Sequence, residues 1–92
     1  MTPDVAETIA VKALVWIAER DELASSFLGA SGATADELRE RASDPEFLGF
    51  VLDFLLSDED ALLGFCEDVT LKPDLPMRAR AVLPGGDLPN WT

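Results

Sequence analysis

Two steps in which a capping residue is followed at once by proline, Thr2-Pro3 and Asp44-Pro45, each stand at the head of a long apolar run. Proline at the first helical position loses no hydrogen bond, because the first N–H groups of a helix have no partner within it. The side-chain oxygen just before it satisfies one of those that remain. Both runs therefore start as helices, and the residues around them keep the same period. Behind Thr2, Val5, Ile9, Ala13, Trp16 and Ile17 recur at helical spacing, while Ala10, Val11, Leu14 and Val15 make much of the rest apolar. A helix wet only along a strip holding Glu7 and Lys12 belongs near the centre of a bundle. Asp21 is expected to cap a second helix carrying Leu23, Ala24, Phe27 and Leu28, which Gly32 ends in a left-handed turn. Thr34 opens a third, with Glu37 placed to complete a capping box. After the 47–56 run, Ser57 with Asp60 is expected to cap a fifth helix, and Asp74 a short sixth that ends near Leu83. The predicted fold is all-α: one domain over residues 1–92, a compact bundle of five to six short helices, with an irregular tail from 84 to 92.

Residues 9–28 laid over residues 47–66, a shift of 38, match Ile9 with Phe47, Leu14 with Leu52, Trp16 with Phe54, Ile17 with Leu55 and Phe27 with Phe65. One inserted residue further on brings Arg39, Arg41 and Ala42 over Arg78, Arg80 and Ala81. The pattern predicts two tandem three-helix units. Two copies are too few for a solenoid, so they are expected to pack face to face, with the first helix against the fourth.

Trp16, Ile17 and Ala18 ahead of a second apolar helix, Asp44-Pro45 with Phe47 and Leu48, the run from Val51 to Leu56 and the Pro84-Gly85-Gly86-Asp87 segment carry a resemblance over nearly the whole chain. The sequence resembles a family of small, acidic, all-helical proteins of unknown function from alphaproteobacteria. The resemblance implies a bacterial cytoplasmic helical protein and no particular activity, substrate or site.

The composition narrows the chemistry. There is one cysteine, no histidine and no tyrosine, and a formal charge of −11. Zinc sites need His or Cys in number, and a di-iron bundle needs Glu-x-x-His pairs, so no metal, cofactor or catalytic residues are expected. Asp58, Glu59 and Asp60 form an acidic face without the spacing of a calcium loop. With so few basic side chains, direct nucleic-acid binding is not expected. Membrane association is not expected either, since the most apolar window is short and contains Asp53. Cys66 has no partner cysteine, no export signal is visible, and a reducing cytoplasm is the expected compartment.

What remains is surface. The leading expectation is a non-enzymatic protein-interaction module, a small adaptor or regulator, that binds a protein partner through Asp87, Leu88 and Trp91 in the tail, and through Arg39 and Arg41 second. A tail folded back onto the bundle is the structural alternative, as is pairing of the arginines with carboxylates. A different expectation is an acidic mimic of nucleic acid, resting on the block around Asp58 and on the lack of basic residues from Asp53 to Asp68. A thiol sensor at Cys66 is a third, and a homodimer sharing the 47–56 helix a further possibility.

Overall fold

The computed structural model describes residues 1–84, which form α1 (Pro3–Ala18), α2 (Asp21–Ser31), α3 (Ala35–Arg41), α4 (Pro45–Leu56), α5 (Glu59–Val69) and α6 (Asp74–Val82). The all-α bundle expected from the pattern is the fold of the chain. Thr2 Oγ1 accepts from the Val5 N–H at 3.2 Å, and an Asp44 carboxylate oxygen accepts from the Glu46 N–H at 3.0 Å. At α3 the capping box closes both ways: Thr34 Oγ1 accepts from the Glu37 N–H at 3.3 Å, and Glu37 accepts from the Thr34 N–H at 2.8 Å.

Three expected caps are corrected. Arg20, not Asp21, precedes α2 and offers no side-chain cap, and Asp21 is the first helical residue. Asp58 caps α5 by accepting from the Ala61 N–H at 3.2 Å, whereas Ser57 donates back to the Phe54 carbonyl at 2.7 Å and so belongs to the end of α4. Pro73 precedes α6, and Asp74 lies inside it, 3.8 Å from Arg78. At α5 the neighbouring residue takes the free N–H, whereas at α2 and α6 the acid is itself the first helical residue and no side chain caps the helix. Asp21 and Asp74 then act on the positive end of the helix from within its first turn.

The duplication in the sequence is present in the backbone. Helices α2 and α5 are 11 residues each and begin and end 38 positions apart, α1 and α4 end at residues 18 and 56, and α3 and α6 begin at 35 and 74. The left-handed C-caps repeat as well, with Gly32 at φ 72° and Thr70 at φ 57°. The second carries a side chain, at a cost of about 1 kcal/mol that glycine avoids.

The units meet as expected, α1 packing broadly on α4 and also on α6. Ile9, Ala10, Ala13, Leu14 and Ile17 are buried on α1, and Phe47, Leu48, Val51, Leu52 and Leu55, each 38 residues later, are buried on α4. The aromatic contacts are reciprocal. Trp16 of the first unit meets Phe65 of the second edge to face at 5.9 Å between ring centres, and Phe54 of the second meets Phe27 of the first at 5.1 Å. Each unit's first helix thus covers the phenylalanine of the other unit's second helix, the arrangement a two-fold axis would produce.

The third helices break this symmetry. Helix α6 buries Pro76 and Ala79, while α3 buries no residue. A Cβ at Gly49 would stand 2.9 Å from Arg80 Nη1 and 3.2 Å from the Pro84 carbonyl oxygen, so glycine lets the end of α6 close onto α4. There Arg80 donates to both carboxylate oxygens of Asp53 at 2.6 and 3.0 Å and to the Pro84 carbonyl at 2.9 Å. The equivalent positions on α1 hold Val11 and Val15, which supply neither the gap nor the charge.

Candidate functional site

What α6 fills beside α4 stays open beside α1 among the described residues. Val11, Leu14, Val15 and Ala18 form an i, i+3, i+4, i+7 stripe on α1, and Ala35, Leu38, Arg39 and Ala42 form the same stripe along α3. These two stripes make the walls of a groove between the helices. Its volume is about 430 Å³, and Glu19 and Arg39 are its charged members. Val15 stands 52% exposed at its edge, although Leu14 beside it is buried. On the far side of Val15 a second depression of about 440 Å³ is lined by Lys12, Trp16 and Val69, and shares Glu19 with the first, so this part of α1 is a ridge between two hollows.

The wall formed by α3 is held by few contacts. Leu38 and Ala42 rest half-buried on the core, and the capping box fixes the first turn. The hydrogen bond from the Thr34 backbone N–H holds the Glu37 carboxyl below its ordinary range, with the Thr34 hydroxyl and the nearby Arg41 charge acting in the same direction.

The other wall is braced from behind. Trp16 Nε1–H and Arg20 Nη2 both donate to Asp68 Oδ2 at 2.7 Å, and the Arg20 guanidinium stacks 3.8 Å from the Trp16 ring centre while donating to the Trp16 carbonyl. This cluster ties α1 to α5 and fixes the indole, and with it the adjoining ridge.

The residues singled out in the sequence are distributed differently. Arg39 lines the α1/α3 groove, but Arg41 points elsewhere: it lies 5.6 Å over the Phe47 ring, in a crevice of about 330 Å³ shared with Asp44, Glu46 and Phe50. The Arg39 and Arg41 face is therefore two faces, as side chains two apart on a helix point in different directions. Of the expected pairings for the matching arginines, Arg80 meets Asp53 and Arg78 meets Asp74 within their own unit. Among the described residues, the ion pair that crosses between units is the one from Arg20 to Asp68. The acidic stretch is correspondingly less concentrated than its sequence implies, because Asp53 and Asp68 at its two ends are paired and Asp58 is engaged as a cap. Glu59 and Asp60 lie exposed in the first turn of α5.

Cys66 is 3% exposed, with its Sγ 3.9 Å from the Lys72 carbonyl oxygen, and burial pushes the thiol up from its ordinary range with the Asp74 charge adding to it. It is a small apolar core residue. Asp87, Leu88 and Trp91 lie outside the described residues. Among the described residues no group of three or more Asp, Glu or Cys side chains is gathered to hold a metal ion, and no helix is long and apolar enough to cross a membrane. Val15 and Leu38 were not singled out in the sequence, yet a signal was there: in the 38-residue overlay Val15 falls on Asp53, an apolar residue on a position that its counterpart keeps charged.

A family model described as a protein of unknown function, DUF3572, matches residues 3–86. The chain belongs to the DUF3572 family. Both walls of the groove, Val11 to Ala18 and Ala35 to Ala42, fall inside the DUF3572 match, whereas Asp87, Leu88 and Trp91 fall beyond it. No curated protein and no solved structure matches the chain.

Proposed function

We propose that the chain is a non-enzymatic docking module of the bacterial cytoplasm, binding a protein partner through the α1/α3 groove. The observation that carries this reading is Val15. It is a half-exposed apolar residue on a stripe that faces a second stripe of the same period, at the position where the other unit has an aspartate held by an arginine. A domain this small gains stability from covering apolar surface, and in the second unit α6 closes over the equivalent positions, Gly49 and Asp53. The lack of histidine and the buried, protonated Cys66 support a role that involves no nucleophile or general base. The unpaired cysteine supports a reducing compartment.

The test is site-specific cross-linking in cells. A photoreactive residue is placed at Val15 and, as control, at Glu22, which is exposed on α2 outside the groove. Adducts with another protein at position 15 and none at 22 are expected, in cells and again in lysate brought to about 0.5 M salt, where surface charge is well screened. Equal labelling at both positions would overturn the reading. Binding that disappears with salt and with Asp58→Lys, Glu59→Lys and Asp60→Lys, leaving position 15 unlabelled, would transfer the function to the acidic face and its mimicry of nucleic acid.

A further inference from the structure

The charges on the two walls go further than the apolar stripe. Glu19 belongs to the α1 wall and Arg39 to the α3 wall, so a ligand lying in the groove meets a negative side chain on one flank and a positive one on the other. Arg39 has no carboxylate within ion-pair distance among the described residues, although its counterpart Arg78 has one. The stripe from Val11 to Ala18 covers two helical turns, about 10 Å. Ala18, Ala35 and Ala42 are short side chains that leave room for larger apolar groups to enter between the helices. Two helices presenting matched i, i+3, i+4, i+7 stripes accept a third helix, the partner whose own side chains repeat at that period.

We infer that the α1/α3 groove receives an amphipathic helix of a partner protein, apolar face inward, with one flank acidic toward Arg39 and the other basic toward Glu19. The inference rests on the docking reading above and adds the chemistry of the partner. A second copy of this chain is the poorer occupant, because each copy brings a formal charge of −11 to the encounter. The field of the whole chain and the local site make opposite demands. A uniformly acidic chain attracts a helix with lysines on both flanks, whereas Glu19 and Arg39 favour one flank of each sign.

Three end-capped peptides of about 16 residues, long enough to overlap the groove at both ends, carry the same leucine face. Their flanks are glutamate on one side and lysine on the other, lysine on both, or glutamate on both. Each is titrated into the full chain with a fluorescent label on the peptide. The two-sided peptide is expected to bind about 10-fold more tightly than either of the others, the range of a well-placed charge pair. Arg39→Glu is expected to move the preference to the all-lysine peptide, and Val15→Asp to abolish binding of all three with the melting temperature unchanged, both residues being exposed. If the all-lysine peptide binds best to the wild type, the flank assignment is overturned, while loss on Val15→Asp would leave the docking reading intact. No binding by any peptide also overturns the inference, and cross-linking at position 15 then decides the docking reading separately. A dimer in sedimentation that Val15→Asp dissociates would make a second copy the occupant. Binding only to a chain stopped after Pro84 would make it the chain's own tail, and either result overturns the inference.

Discussion

Phe27 and Phe65 occupy equivalent places in the two units, and both are fully buried, yet replacing each by leucine is expected to have unequal effects. Transfer of the side chain from water is the same for both, so that contribution cancels in the comparison and leaves the ring contacts. Phe27 meets Phe47, Phe50 and Phe54 at 5.8, 5.6 and 5.1 Å between centres, two of these edge to face. Phe65 meets Trp16 at 5.9 Å. An aromatic pair contributes about 0.5–1.5 kcal/mol beyond its buried area, and contacts sharing one ring fall short of additivity. Phe27→Leu should therefore cost about 2–3 kcal/mol and Phe65→Leu about 1 kcal/mol. A domain of this size has a total stability of about 5–14 kcal/mol, so both variants remain folded in the cold. Their midpoints of thermal unfolding should differ by roughly 4–16 °C, with Phe27→Leu the lower. Equal midpoints, or a lower one for Phe65→Leu, would refute the claim that the aromatic contacts decide these costs.

Arg80→Met with Asp53→Asn should cost less than either change alone. Asp53→Asn leaves a guanidinium whose side chain is only 17% exposed without its counter-charge, and the expected loss is about 1 kcal/mol by urea unfolding, since Asp53 itself faces water. Cys66 should react with a thiol reagent at pH 8 only as fast as the chain opens, so that its rate rises with urea in step with unfolding. Burst labelling of the native protein would contradict the burial. Because the Cys66 pKa is raised by folding, its contribution to stability is complete below the ordinary thiol value of 9.0 and declines as the pH rises through the folded value. Glu37 works in the opposite sense. Its folded pKa lies below 4.5, so the capping box stabilises α3 fully above that pH and is lost as the pH falls through the folded value. Amide exchange in α3 should accelerate on acidification in the wild type, and the difference from Glu37→Gln should vanish at low pH.

Most of the fold is visible in the sequence, because capping chemistry and apolar period are local properties. Thr2, Thr34 and Asp44 cap as their neighbours dictate, Gly32 turns left-handed, and the offset of 38 residues recovers both unit boundaries. The helix starts near Asp21, Ser57 and Asp74 each differ by one residue from the pattern, because a polar residue at a short joint serves equally as a cap or within the first turn. At α5, Asp58 takes the N–H that Ser57 could have taken. The candidate site was less visible. A groove is the space between two helices, and its openness depends on Val11 standing where the other unit has Gly49, a comparison that needs the third helices to be seen in place. Arg39 was found for its charge, not for its neighbour across the groove. Arg41 followed it only because the two are close in sequence.

The crossing of aromatic contacts between units also sets an order of events during synthesis. Phe27 gains its cover when α4 follows it from the ribosome, but Trp16 waits for Asp68, 52 residues further along the chain, and for Phe65 just before it. Until then the indole and the valines beside it lie on a half-built surface that water does not favour. Any factor that shields nascent chains would find its foothold on α1, the same helix whose ridge the described residues leave exposed at Val15.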